Sequence, residues 1–228
     1  MLVVMKFGGT SVGSGKVIAE VAGLVKEQEG KKVVVVSAMS KVTDSLIEIS
    51  ERVVSVPKVQ VEKSVDMFIR DLLLRHRTAA FEAVTDKKVL SNVLDELIKT
   101  TDELRIALLG VGYLGDLSPK SKDYIMSFGE RLSILLVSGA LDSVGVRAKP
   151  VTGFDAGIVT DDKFGCARPQ HKKMVKSVGH ALSPLLDAGI TPVVTGFVGG
   201  TESGVTTTLG RGGSDYSASL VGRYLKAD

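Results

Sequence analysis

The chain has 228 residues, 44% of them hydrophobic and 24% charged, a balance that suits a soluble globular chain with a sizeable buried core. Its 29 Lys and Arg against 26 Asp and Glu are too small an excess to call for nucleic acid, and aromatics at 5% are too sparse to stack bases. No uninterrupted apolar run approaches the roughly 18 residues of a membrane span, the opening Met1–Met5 run is too short for a signal-peptide core, and a single cysteine, Cys166, excludes an internal disulfide and favours a cytoplasmic setting.

Residues 2–7 form a short apolar run closed by Gly8-Gly9 and predict a buried strand. A helix from about Lys16 to Glu29 is expected next, ended by Gly30. The unbroken valines 33–36, followed by Ser37, predict a second strand. Continuous apolar strands of this kind suit a parallel sheet covered by helices on both faces. Asp44 is expected to cap or open a helix through about Val54. Val61, Val65, Phe68, Ile69 and Leu72 fall on one helical face, and Leu90, Val93, Leu94, Leu97, Ile98, Leu104 and Leu108 define another. Gly110, Gly112 and Gly115 are expected to break that second pattern. Ser118-Pro119 restarts it as N-cap and first helical residue. The resulting helix, to about Val144, is apolar around much of its second half and should be buried. Short strands are expected near 146–151 and 156–160, a helix over about 169–188, and a strand at 191–195. The glycine-rich stretch 197–209 has the makings of a hairpin, and a last helix runs from near Gly213 to about Leu225. His76, His171 and His180 fall in helices as surface or packing residues. The basic stretch Arg168, His171, Lys172, Lys173, Lys176 and His180 reads mostly as a solvated helix face. The alternation of strands and helices predicts one α/β domain over 1–228 with a mostly parallel sheet.

Four segments can carry chemistry. Lys6-Phe7-Gly8-Gly9-Thr10-Ser11 sits where a strand ends, the edge at which open α/β sheets bind ligands. Its glycines let amides approach a phosphate, its hydroxyls donate and Lys6 adds a charge; a plain tight turn is the competing reading. Neither the Walker A loop nor the dinucleotide G-x-G-x-x-G pattern fits. Ser37 to Asp44 is a second such loop, feeding a helix N-terminus that attracts anions or is simply capped by Asp44. In Ser127-Phe128-Gly129-Glu130-Arg131, Glu130 enters a buried helix and needs a cation. Arg131 or another protein cation would serve, and so would the ammonium of a bound amino acid. In Thr206 to Asp215, Arg211 stands among glycines that leave it free to grip a carboxylate, while Gly212, Gly213 and Ser214 open a helix onto an anion site. Asp215 there suits the helix dipole and is able to orient a lysine or an ammonium.

In order along the chain, Lys6-Phe-Gly-Gly-Thr-Ser-Val12, Ser37-Ala-Met-Ser-Lys-Val-Thr-Asp44, Ser127-Phe-Gly-Glu-Arg-Leu132, Asp155-Ala-Gly-Ile-Val-Thr-Asp161 and Thr206-Thr-Thr-Leu-Gly-Arg-Gly-Gly-Ser-Asp-Tyr216 resemble the aspartate kinases of the amino acid kinase fold. Lys41 stands where that family more often has glycine. The resemblance implies a three-layer αβα sandwich around a mostly parallel sheet, C-terminally truncated. It implies transfer of the ATP γ-phosphoryl group, with Mg2+, to the side-chain carboxylate of L-aspartate, the first step towards lysine, threonine and methionine. It makes Lys6 and Asp215 catalytic. Ser37, Thr43, Glu130, Arg211, Gly212, Gly213 and Ser214 would bind substrate, with Glu130 on the α-ammonium and Arg211 on a carboxylate. Lys6, Gly8, Gly9, Thr10 and Ser11 would lie along the nucleotide, and no protein metal ligand is assigned. A homo-oligomer is expected of the full-length form, with no nucleic-acid or membrane partner. The family's tryptophan-containing nucleotide segment and regulatory domains have no counterpart in these residues. The expectation is therefore a fragment, a truncated gene product or one part of a split enzyme that carries the aspartate side of the site and binds ATP poorly or not at all. The rivals are a kinase of the same fold acting on glutamate, acetylglutamate or UMP, and a non-catalytic assembly partner.

Overall fold

The computed structural model describes residues 1–228. In chain order the elements are β1 (Leu2–Phe7), α1 (Gly15–Glu27), β2 (Lys31–Val36), α2 (Val42–Ser55), α3 (Lys58–Ala83), α4 (Lys87–Leu114), α5 (Pro119–Ser143), β3 (Ala148–Val151), β4 (Val159–Thr160), α6 (His171–Asp187), β5 (Thr191–Thr195), β6 (Val198–Thr201), β7 (Thr206–Thr208) and α7 (Gly213–Leu225).

The valine strand β2 sits inside a four-stranded sheet of order β1-β2-β5-β3 in which every neighbouring pair is parallel. Its side chains alternate between two cores. Val34 and Val36 join the helices α1 to α5 on one face. Val33 and Val35 meet Met174, Val178 and Leu182 of α6 and Leu220 and Val221 of α7 on the other. All four valines are fully buried, each contributing roughly 2 kcal/mol of apolar burial. This is the three-layer, mostly parallel architecture expected. A smaller sheet, β4-β6-β7, carries the expected hairpin as the antiparallel pair β6–β7, with Val198 opposite Thr208.

Helix α5 is the central packing element. By length and composition it passes for a membrane-spanning segment, but 83% of its apolar window is buried inside the protein. Ser118 caps it, accepting from Ser121 N at 3.1 Å, with Pro119 leading the helix.

Three expectations are corrected. Gly110 and Gly112 do not end α4, which continues to Leu114 and stops at left-handed Gly115 (φ 69°). Gly112 serves packing instead: a Cβ there would lie 2.5 Å from Val61 Cγ1, so its absence lets α4 close on α3. Asp44 does not cap α2, which begins two residues earlier behind Lys41 in the left-handed region (φ 64°). The strand expected over 156–160 shrinks to Val159–Thr160, because Gly157 adopts φ 87°, which no strand accommodates. His76 is a fully buried packing residue, and His171 and His180 are exposed.

Candidate active site

Parallel pairing places the ends of β1, β2 and β5 at one edge, since Phe7 stands opposite Val36 and Val36 opposite Thr195. The loops that follow them converge there. Ser40 Oγ donates to Gly9 O at 2.9 Å, fastening the second loop to the first. Gly196 then admits the start of α7, since a Cβ at 196 would sit 2.7 Å from Ser214 Cβ. Gly212, at φ 75°, turns the chain into α7, and no side chain caps that helix. Gly213 N donates to Gly210 O at 3.0 Å, and the uncapped first turn at Ser214 and Asp215 lines the cleft, the kind of helix start that suits an anion.

The loops enclose a cleft of about 400 Å³. Of the residues singled out from the sequence, Lys6, Gly9, Ser37, Thr43, Glu130, Arg211, Gly212, Gly213, Ser214 and Asp215 line it. Gly8, Thr10 and Ser11 do not. They belong to the turn that precedes Ser14, the N-cap of α1, where Gly8 O accepts from Val12 N and Thr10 O from Gly13 N. Ala38, Met39, Ser40, Lys41, Asp44 and Gly210 also line the cleft from within the segments singled out, though without an assigned binding role, and Phe197 lines it from outside every one of them. Phe197 and Lys41 are two of the three non-glycine residues with positive φ, at 66° and 64°. Strained backbone of that kind concentrates where function fixes a loop, but it leaves no mark in residue type.

The electrostatics are asymmetric. Lys6 Nζ pairs with Asp215 Oδ1 at 2.8 Å, linking β1 to the first turn of α7. Glu130 is only 3% exposed. Its Oε1 accepts from Ala38 N at 3.1 Å, whereas its buried Oε2 has no partner. Burial pushes the Glu130 carboxyl up to about 8. Arg131, one of the cations considered for it, turns away, donates from Nη1 to Glu103 at 3.1 Å and stacks over Phe128. Gly129 makes room for the approach, since a Cβ there would lie 2.7 Å from Ala38 Cβ. The cleft thus offers, at one place, a buried carboxyl group with one oxygen unpartnered, which a cation would hold ionised. Elsewhere it offers a lysine, an exposed arginine and a helix start that suit anions.

Sequence reasoning also missed Asp123, a buried residue of α5 whose carboxylate accepts from Gly165 N, Thr208 N and Thr208 Oγ1. Its partners stand 42 and 85 positions away, so only an acidic residue in a helix destined for burial could have pointed to it.

Comparisons with known proteins bear on the family and the fold. The family model described as "Amino acid kinase family" matches residues 1–228. Aspartokinase 2, chloroplastic, of Arabidopsis thaliana is 34% identical over 97% of this chain and 40% of its own length. Lysine-sensitive aspartokinase 3 of Escherichia coli K12 is 32% identical over 99% of this chain and 47% of its own. The crystal structure of E. coli aspartokinase III in complex with aspartate and ADP superposes with a TM-score of 0.85 at 28% identity, covering 100% of this chain and 47% of that one. The chain thus spans under half the length of these relatives. Over its whole length, this chain belongs to the amino acid kinase family.

Proposed function

We propose that this chain carries the amino-acid-binding side of an aspartate kinase, which transfers the γ-phosphoryl group of ATP to the side-chain carboxylate of L-aspartate. The observation that carries the reading is the unpartnered, buried Glu130 Oε2 in a cleft shared with Lys6 and Arg211. An α-ammonium would supply the missing partner, and an uncompensated carboxylate at that depth is otherwise costly.

Arg211 and the start of α7 would hold a carboxylate of the same substrate, and Ser37 and Thr43 would bind it from the loop and first turn of α2. Lys6 would meet the transferring phosphoryl group, oriented by Asp215 at 2.8 Å. Gly9 leaves the first loop close to the second, since a Cβ there would be 3.1 Å from Ala38 O. This lets the loop backbone lie along the phosphates. Gly8, Thr10 and Ser11 would act from just outside the cleft. ATP with Mg2+ supplies the phosphoryl group and part of the charge compensation. The chain has no group of three or more His, Cys, Asp or Glu side chains placed for a metal. Mg2+, which usually keeps its waters and phosphate ligands, fits as a companion of the nucleotide. A carboxylate is already a nucleophile, so the protein's task reduces to alignment and charge neutralisation. Roles in lysine, threonine and methionine synthesis and a cytoplasmic setting belong to the same proposal.

A coupled ADP-release assay, on this chain and on a longer polypeptide containing it, tests the reading. ADP release should depend on L-aspartate and vanish in Glu130→Gln. Release indifferent to L-aspartate in every form would refute it.

A further inference from the structure

The Thr208–Ser214 loop that presents Arg211 is held from outside the cleft. The end of β7 is pinned on two sides. Asp123 Oδ2 accepts from Thr208 N at 2.8 Å and Asp123 Oδ1 from Thr208 Oγ1 at 2.8 Å. Thr208 O accepts from Ala167 N at 2.8 Å. The same carboxylate accepts from Gly165 N at 2.9 Å with both oxygens, gripping the 163–166 turn. That turn in turn backs the loop, since a Cβ at Gly210 would lie 3.2 Å from Cys166 Sγ and 3.4 Å from Gly165 O. Asp123 is fully buried and has no cationic partner. Burial raises its pKa, and the amides and the hydroxyl around it oppose that shift. An acceptor-only group surrounded by donors is most stable as a carboxylate.

Asp123 and Glu130 are seven residues apart on α5. In a helix that separation is two turns, about 10 Å along the axis and nearly the same face. One rigid helix therefore fixes Glu130 on one side of the cleft and, through Asp123, the strand end three residues before Arg211. We propose that Asp123 is a positioning residue that sets the distance between the Glu130 and Arg211 subsites, and with it the length of the amino acid that both can grip at once. This rests on the function proposed above for the destination of that distance, but the mechanical link from α5 to the Arg211 loop stands on its own contacts.

Two variants probe the clamp. Asp123→Asn keeps the shape but turns an N–H towards a donor. Thr208→Val removes one hydroxyl bond and leaves the carboxylate. Asp142→Asn is the control, because Asp142 is also an α5 carboxylate holding a backbone amide, Ala148 N at 2.9 Å, away from the cleft. Hydrogen exchange should show Asp123→Asn losing protection in 163–167 and 208–214 selectively, with Thr208→Val affecting the same segments less. Asp142→Asn should leave these segments unchanged. L-Aspartate binding, read by calorimetry, should weaken by roughly tenfold or more in Asp123→Asn, since small misplacements of positioning groups are costly. Unchanged protection in 208–214, or a loss spread evenly over the molecule, overturns the positioning role. Unchanged affinity for L-aspartate in Asp123→Asn, with the segment loosened, overturns its link to the substrate. If the parent chain binds no L-aspartate, the proposed function is what fails, and the exchange pattern still decides the mechanical claim.

Discussion

Lys6 Nζ and Asp215 Oδ1 stand 2.8 Å apart, joining the strand that begins the chain to the helix that closes the site. The pair is partly solvated, with Lys6 at 25% and Asp215 at 75% exposure, so its contribution to folding should be about 1 kcal/mol or less. Its importance should be kinetic. Lys6→Ala in an active form of the protein should melt close to the parent and lose on the order of 100-fold or more in turnover, the scale of removing one charge-stabilising group. Parent-like turnover would remove Lys6 from the mechanism.

Glu130 should couple substrate binding to a proton. Its folded pKa lies near 8, so at pH 7 the carboxyl is mostly protonated, and an arriving ammonium needs it ionised. Calorimetric titrations with L-aspartate in buffers of different ionisation enthalpy should report release of close to one proton per site at pH 7. Glu130→Gln should release none. A parent protein with no proton release would contradict a protonated resting carboxyl.

Two buried groups should also shape stability against pH, in opposite directions. Glu130 is raised from 4.5 to about 8, so its contribution is fully present below pH 4.5 and is lost as pH rises towards 8. His76 Nδ1 donates to Leu72 O at 2.8 Å, and its Nε2 is buried without a partner. Burial lowers it from 6.5 to about 4, so its contribution is present above pH 6.5 and is lost as pH falls towards 4. Each window corresponds to roughly 3 to 5 kcal/mol at full strength. The two slopes cancel between pH 4.5 and 6.5. Urea unfolding should therefore give a flat curve there for the parent, a curve falling towards acid for Glu130→Gln, and one rising towards acid for His76→Leu. Three parallel curves would show that neither group titrates as described.

Lys41→Gly should stabilise the chain. Lys41 holds φ 64° at the start of α2, a conformation that costs a side-chain-bearing residue about 1 kcal/mol. Glycine adopts it freely. A higher urea midpoint with an unchanged slope is expected, and a lower midpoint would show that the lysine side chain contributes more than its backbone costs.

Much of the architecture was readable because it rests on local patterns. The valine run had to be a strand buried on both faces, and Ser118-Pro119 marked a helix start to the residue. The loops at strand ends could be ranked as site material from glycine, hydroxyl and charge alone. What was not readable depends on distant neighbours. Gly110 and Gly112 look like helix breakers until α3 packs against α4 and Val61 fills the space at Gly112. Arg131 looks like a partner for Glu130 until Glu103, 28 residues earlier, takes it. Thr10 and Ser11 fit a phosphate loop by composition, but they sit in the turn before Ser14 starts α1 and do not line the cleft itself. Asp123 showed only as an acidic residue in a helix destined for burial, because its meaning lies in Gly165 and Thr208.

The account depends most on a single cleft gripping both ends of a free amino acid. Calorimetric titration with L-aspartate and with N-acetyl-L-aspartate, side by side, tests that directly. The acetyl group removes the positive charge that Glu130 Oε2 requires and leaves both carboxylates intact. The expected result is saturable binding of L-aspartate, abolished by Glu130→Gln, and no detectable binding of the acetylated compound. Equal binding of the two, or binding of neither, would contradict it.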